Sequence, residues 1–338
     1  MHKPLGAQST AAAARRILGP LARARAVDGS GRPQGFTTLG LGFFVAELPA
    51  WLPGSWRQAL LRRAQRRWGS LRFVQKQFSV AQEETVLRCL YLACPNPPVP
   101  SALPVPLVLG VSPGDGCGRV LLEDVAGIGS RVLETPAQAA GLAEQIVRLE
   151  AYLTQAEAKT GQVLPRHQVL VNPRRLRLLI RRTDDPSVKK SELLQRVRVL
   201  GRALAQGPTR LSHNDIGPGN MAVQTDPQLG FSIRFIDFGS VSHNVLGADL
   251  HHYAAWGLDS TEQQAFYERL SDRYAALLNQ PLPLVRAGAY AYALERSLMR
   301  WWRRRERQRL TMRARAYLRR IEALLVRSEA ELGRVPQG

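Results

Sequence analysis

Apolar residues recur along this chain in two rhythms. Leu142, Ile146, Leu149 and Leu153 fall three or four apart, as do Leu193, Val197, Leu200 and Leu204. That spacing puts each set on one face of an amphipathic helix. Thr135-Pro136 suits the start of the first, with threonine as cap and proline in the opening turn. Upstream, "LRFVQKQF" (71–78) has the β-branched and aromatic content of a strand, and "GRVLLEDVAG" (118–127) reads as another. Between them "AQEETVLRCLYL" (81–92) sets Glu83, Leu87 and Leu90 at helical spacing, and "SWRQALLRRAQRRW" (55–68) predicts a basic helix. The proline-rich stretch 94–106 must be extended. Val169–Ile180, around Asn172-Pro173, reads as a hairpin, and the chain from about residue 249 reads as helix. A strand-rich first third followed by a mostly helical remainder predicts an α+β arrangement of two lobes.

Composition changes this picture in one respect. The 338 residues suffice for two modest lobes or one large domain, and a hydrophobic fraction of 45% is that of a folded chain. The formal charge of +20 is the larger fact. Such a field attracts anions: nucleotides, nucleic acid, phosphorylated sugars or an anionic membrane face. Cys89, Cys94 and Cys117 form an odd count without metal-ligand spacing and read as reduced, small buried residues. The basic start, 1–27, lacks the sustained apolar core of a secretory signal. The apolar stretch 39–54 contains Glu47, Pro49 and Pro53 and is too short and too broken to span a bilayer. These features predict a soluble, cytoplasmic protein.

The chemistry concentrates in "LSHNDIGPGNMAV" (211–223) and "FIDFGS" (235–240). Asp215 and Asp237 lie in apolar, strand-like surroundings, where a carboxylate costs folding energy unless something cationic pairs with it. Phosphoryl transfer from ATP asks for such groups. It needs metal ions on the phosphates and a carboxylate to orient the attacking hydroxyl. Mg²⁺ takes hard oxygen ligands, one or two from protein and the rest from phosphate and water. His213, Asp215, Asn220 and Asp237 have the order and spacing to serve, with a short strand, a turn at Asp226-Pro227 and a return strand between.

On these residues the chain resembles the protein-kinase-like fold, and within it the aminoglycoside phosphotransferase and choline kinase branch. "HNDIGPGN" matches the catalytic loop, "IDFG" the metal-binding turn, and "GADLHHY" (247–253) the aspartate segment that braces the loop. The resemblance implies a small β-rich N-lobe over 1–122 and a larger helical C-lobe over 123–338. It implies Asp215 as catalytic base or hydroxyl-orienting group, Asn220 and Asp237 as Mg²⁺ ligands, and His213 and Asp249 as supports. Lys76 would grip the α- and β-phosphates of ATP. Glu83 would be its ion-pair partner, preferred to Glu84 because it shares the face of Leu87 and Leu90. Backbone groups from Glu123 to Val125 would meet the adenine.

Departures from the family pattern shape the rest. The glycine cluster 29–35 lies far from Lys76 for a phosphate-covering loop, which implies an insertion over 40–70 or a different cover. Asn214 stands where protein kinases carry arginine, and only "GSVSHNVLGA" separates Asp237 from Asp249. That is too short for a peptide-docking segment, so the acceptor is expected to be a hydroxyl of a small molecule, sugar or glycolipid. His251-His252 is not a zinc pair, because adjacent helical residues point apart. Residues 166–180, with His167 and Asn172, mimic the loop without its aspartate and are taken as structural. The stretch 296–320 carries eleven arginines and one acid, Glu306. Arg296, Arg300, Arg303, Arg304 and Arg305 suit an anionic acceptor, such as a phosphorylated sugar or the sugar of an anionic glycolipid such as lipopolysaccharide. The alternative is a catalytically weak kinase-like scaffold that holds RNA or an anionic membrane surface, in line with a cytoplasmic protein peripheral to the inner membrane face.

Overall fold

The computed structural model describes residues 14–15, 17–18, 22–27, 38–68, 72–78, 81–93, 103–112, 118–125, 133, 135–167, 173–183, 189–224, 231–305 and 311–335. In chain order its strands and helices are β1 Arg23–Val27, β2 Thr38–Glu47, α1 Gly54–Trp68, β3 Arg72–Phe78, α2 Ala81–Ala93, β4 Val108–Ser112 and β5 Gly118–Glu123. They continue with α3 Pro136–Thr160, α4 Pro173–Thr183, α5 Lys190–Ala205, β6 Thr209–Ser212, β7 Met221–Gln224, β8 Ser232–Phe235 and β9 Ser242–Val245. Four helices close the chain: α6 His251–Trp256, α7 Thr261–Leu278, α8 Leu282–Arg305 and α9 Thr311–Leu332. The α+β class read from the patterning is the one observed.

The elements sort into two units. One comprises Met1–Arg131, Ala151–Leu164 and Pro218–Val241; the other comprises Val132–Glu150, Pro165–Gly217 and Ser242–Gly338. The segments Ala151–Leu164 and Pro218–Val241 thus belong with the first unit although they lie later in the chain.

The first unit is built on an antiparallel sheet of order β1-β2-β3-β5-β4. Strand alternation gives its two faces different tasks. Phe73 on β3 and Leu121 on β5 join Ile17, Leu18, Leu109 and Ala64 of α1 in one apolar cluster. Lys76, three residues beyond Phe73, points to the opposite face, where it meets α2 through Glu83. The helix α1 occupies the interval between β2 and β3, which accounts for the long separation between the glycine cluster and Lys76. That cluster joins β1 to β2 in the chain and lies outside the described residues, as do Asp226-Pro227, Cys94 and Cys117. Cys89 is buried on α2, with its Sγ 3.2 Å from the Thr160 hydroxyl. The β7–β8 hairpin also belongs here, in register Met221↔Phe235.

The second unit is mostly helical, with one short antiparallel pair, β6–β9. Leu142, Ile146 and Leu149 are fully buried, and Leu193, Val197, Leu200 and Leu204 of α5 are buried along one face. One expectation fails. The hairpin over 169–180 is helix from Pro173 onward, its residues 168–172 lying outside the described set. Leu176, Leu179, Ile180 and Thr183 share one buried face. Their spacing of three and four decides the conformation, and Pro173 opens the helix where proline's missing N–H costs nothing. Among the described residues no helix is long and apolar enough to cross a membrane.

Candidate active site

In the first unit, three residues distant in sequence meet. The Lys76 ammonium lies 2.5 Å from Glu83 Oε1 and 3.2 Å from Asp237 Oδ1. Lys76 and Glu83 are buried, while the Asp237 side chain remains about a quarter exposed, at 27%. A buried ammonium needs such partners, since desolvation alone would strip its charge. The helix α2 is held in place by Gln82, whose Nε2 donates to the Val241 carbonyl at 2.7 Å. Glu83 therefore comes to Lys76 on an element tied to the segment that follows Asp237.

Asn220 and Asp237 stand at the same end of the β7–β8 hairpin. The Ile236 N–H donates to the Asn220 carbonyl at 3.0 Å, one rung beyond the Met221↔Phe235 pair. Asp237 adopts a left-handed conformation at φ 66°, which few non-glycine residues hold. The two side chains that could ligate a hard cation are thus set by one local turn. Among the described residues no group of three or more His, Cys, Asp or Glu side chains is placed to hold a metal ion. A Mg²⁺ ion that takes two protein oxygens and completes its shell with phosphate and water does not require such a cluster. The donor set of one carboxylate and one amide oxygen fits that ion.

The Glu123 side chain is committed to the fold. Its carboxylate pairs with buried Arg234 of β8 and accepts the Leu107 N–H at 3.3 Å. Its own N–H donates to the Leu107 carbonyl at 2.9 Å. Burial pushes its pKa up although Arg234 opposes the shift. The N–H of Glu123 is thus engaged within the fold, and Val125 is buried.

The second unit carries the rest. Asp249, fully buried, accepts the backbone N–H of Asn214 on Oδ1 at 2.6 Å and that of His213 on Oδ2 at 3.0 Å. Asn214 is left-handed at φ 65°, and its side chain fills a buried network. Its Nδ2 donates to the Ser212 carbonyl and Ser242 Oγ, its Oδ1 accepts from Asn244, and its own carbonyl accepts the Tyr292 hydroxyl. The asparagine standing where kinases place arginine thus locks the loop that carries Asp215. Behind it lies Glu150, whose carboxylate takes Arg210 at 2.7 Å and the Tyr274 hydroxyl at 2.5 Å. Burial first, then the Glu150 charge, raise Asp249 from 3.8 to about 7, and burial raises Glu150 as well. Sequence reasoning missed Glu150, though a signal existed: a lone acid inside the stripe of Ile146, Leu149 and Leu153.

Two glycines let α8 approach the segment that leads into Asp249. A Cβ on Gly288 would stand 2.0 Å from the Leu246 carbonyl oxygen, and one on Gly247, at φ 86°, would stand 2.3 Å from that of Val285. Gly288, Tyr292, Arg296 and Arg300 follow at intervals of four along one side of α8. Arg296 pairs with the Asp215 carboxylate. Arg300 is exposed at its edge, and among the described residues no carboxylate lies within ion-pair distance of it. Desolvation by the surrounding protein, and then the Arg296 charge, hold its pKa below the arginine value. Burial, then Arg300, push His252 down to about 4, and burial, then the Arg296 charge, lower His251 well below the ordinary imidazole value. The surroundings of Asp215 are cationic. His167, left aside in the sequence, pairs with Glu295 at 3.0 Å and packs edge-on against Tyr292.

The family model described as the phosphotransferase enzyme family matches residues 71–288, more than half of the chain. No curated protein matches. Among solved structures, an aminoglycoside phosphotransferase with GDP and kanamycin is 13% identical at a TM-score of 0.45, covering 91% of this chain and 93% of that one. Aminoglycoside phosphotransferase APH(4)-Ia is 12% identical at a TM-score of 0.47, over 95% and 97%. A spectinomycin phosphotransferase with ADP and spectinomycin is 13% identical at 0.43, over 91% and 92%.

Proposed function

The chain belongs to the phosphotransferase enzyme family, and from that premise we propose that it transfers the γ-phosphate of ATP to a hydroxyl of an anionic sugar, free or on a glycolipid headgroup. The observation that carries the acceptor's charge is the Asp215–Arg296 pair with Arg300 beside it. A polycationic acceptor would meet repulsion there. A phosphate or carboxylate on the acceptor would find guanidinium groups, which bind such oxyanions in bidentate fashion.

Each remaining residue has a role that its surroundings support. Lys76, steadied by Glu83, faces the phosphates of ATP, and the backbone from Glu123 to Val125 meets the adenine. Asn220 and Asp237 would hold Mg²⁺, which when bound neutralises charge on the phosphates. Asp215 orients the acceptor hydroxyl and takes its proton as the oxygen bonds to the γ-phosphorus and the bond to the ADP oxygen breaks. His213, buried beneath the loop with its N–H on Asp249, keeps Asp215 in position. A glycolipid acceptor would bring the chain to the ATP-containing side of a membrane.

The test follows ATP consumption with Mg²⁺ across a panel of phosphorylated and carboxylated sugars, neutral sugars and aminoglycosides. Asp215→Ala should lower turnover by about 10²–10⁴ while leaving nucleotide affinity nearly unchanged. Asp237→Ala should abolish the Mg²⁺ dependence of nucleotide binding. Efficient phosphorylation of aminoglycosides with anionic sugars untouched would sink the acceptor assignment, and no Mg²⁺-dependent ATP binding by calorimetry would sink the enzyme.

A further inference from the structure

We propose that α1 and the turn before it form a docking surface for an anionic lipid bilayer. The inference does not rest on the phosphotransfer reading: a chain without turnover would dock in the same way. It starts from Trp51 and Trp56, the two largest exposed apolar side chains among the described residues, at 67% and 68%. Tryptophan exposed to that extent leaves a wide apolar surface in water. The two rings lie five residues apart in the chain, one on the turn before α1 and one in its first turn.

The inner side of α1 is committed. Ala64 is buried in the cluster with Phe73 and Leu121, and Leu52, Leu60 and Leu61 pack against it. That packing fixes the rotation of the helix and turns Trp56, Arg62 and Arg63 outward, all exposed, with Arg57 exposed in the first turn. The helix has five arginines and no acid. Indole rings settle at the boundary of headgroups and acyl chains, and arginines pair with lipid phosphates while their stems cover apolar surface. Trp56 and Arg63, seven residues apart, share one exposed side of the helix, with Arg57 and Arg62 exposed on its flanks, and the combination of indole and guanidinium matches the anionic interface in both respects.

Other occupants fit less well. A second copy would bring an identical arginine face, on a chain of net charge +20, against this one. A nucleic-acid strand would use the arginines, but Trp51 and Trp56 sit on a turn and a helix end and offer no row for successive bases. The geometry also suits a working enzyme. The helix α1 covers the sheet face of Phe73, whereas Lys76 alternates to the other face, so docking leaves the Lys76–Glu83 side open.

The experiment sediments the full chain with vesicles of equal parts phosphatidylglycerol and phosphatidylcholine, or of phosphatidylcholine alone, none containing sugar. A missing acceptor therefore cannot mimic failed docking. We expect retention on the anionic vesicles, released by salt, and quenching of tryptophan emission by brominated acyl chains. Trp51→Ser with Trp56→Ser should remove the quenching and lower the partition about tenfold. Replacing Arg57, Arg62 and Arg63 by Gln should lower it about fivefold for each. The quenching is measured on the unaltered protein, so a poorly folding variant leaves the test standing. Equal retention on both vesicle types, unchanged binding by the Trp variant, or displacement by an oligonucleotide that itself quenches these tryptophans would each overturn the proposal.

Discussion

Asp249→Asn probes the buried carboxylates behind the Asp215 loop. In the folded chain burial, and then Glu150, raise Asp249 from 3.8 to about 7. Between those values the native state holds a proton that the unfolded chain has released, so stability falls as pH rises through the window. An interval of about 3 pH units corresponds to about 4 kcal/mol, present at its acid end and gone above its alkaline end. Asparagine does not titrate. Its amide oxygen accepts one of the two backbone N–H groups now bound to Asp249 and leaves the other facing an NH₂, as the protonated carboxyl leaves it facing an O–H. Urea unfolding followed by tryptophan fluorescence should therefore find the two proteins of similar stability at the acid end of the window. The variant should gain on the parent as the pH rises, by up to about 4 kcal/mol above about 7. Glu150 titrates in both proteins with the same sign and does not generate the divergence. A difference in unfolding free energy that stays constant across the window would refute the reasoning.

Glu123→Ala should cost about 3–5 kcal/mol by leaving Arg234 buried without its partner; replacing both residues by apolar ones of similar size should recover most of that in the same denaturation assay. Gly288→Ala should destabilise by more than about 3 kcal/mol, because the new Cβ meets a backbone oxygen that cannot move aside. Gly54→Ala, where nothing stands within 4 Å, should leave the melting temperature unchanged within about a degree.

The residues legible in the sequence were those whose surroundings are local. Helix faces such as Leu193–Leu204 could be read because the helical period depends only on neighbours along the chain. The Asn220 and Asp237 pair could be read because one hairpin brings them together. Even the failure at 169–180 was local: the spacing of Leu176, Leu179 and Ile180 outweighed the turn signal of Asn172-Pro173.

Tertiary structure decided what depends on approach across long separations. Lys76 reaches Asp237 across 161 residues, and Arg296 reaches Asp215 across 81. Nothing in either segment announces its partner, since an ion pair depends on distance and desolvation, and only folding sets those. The same holds for Glu150 and Asp249, whose charges become costly because both are buried side by side. It holds too for Trp51 and Trp56, whose exposure is set only when packing commits Leu60, Leu61 and Ala64 to the sheet and leaves the indoles in water. Periodicity reports which residues can share a face; which face meets which, and at what electrostatic cost, is a property of the packed chain.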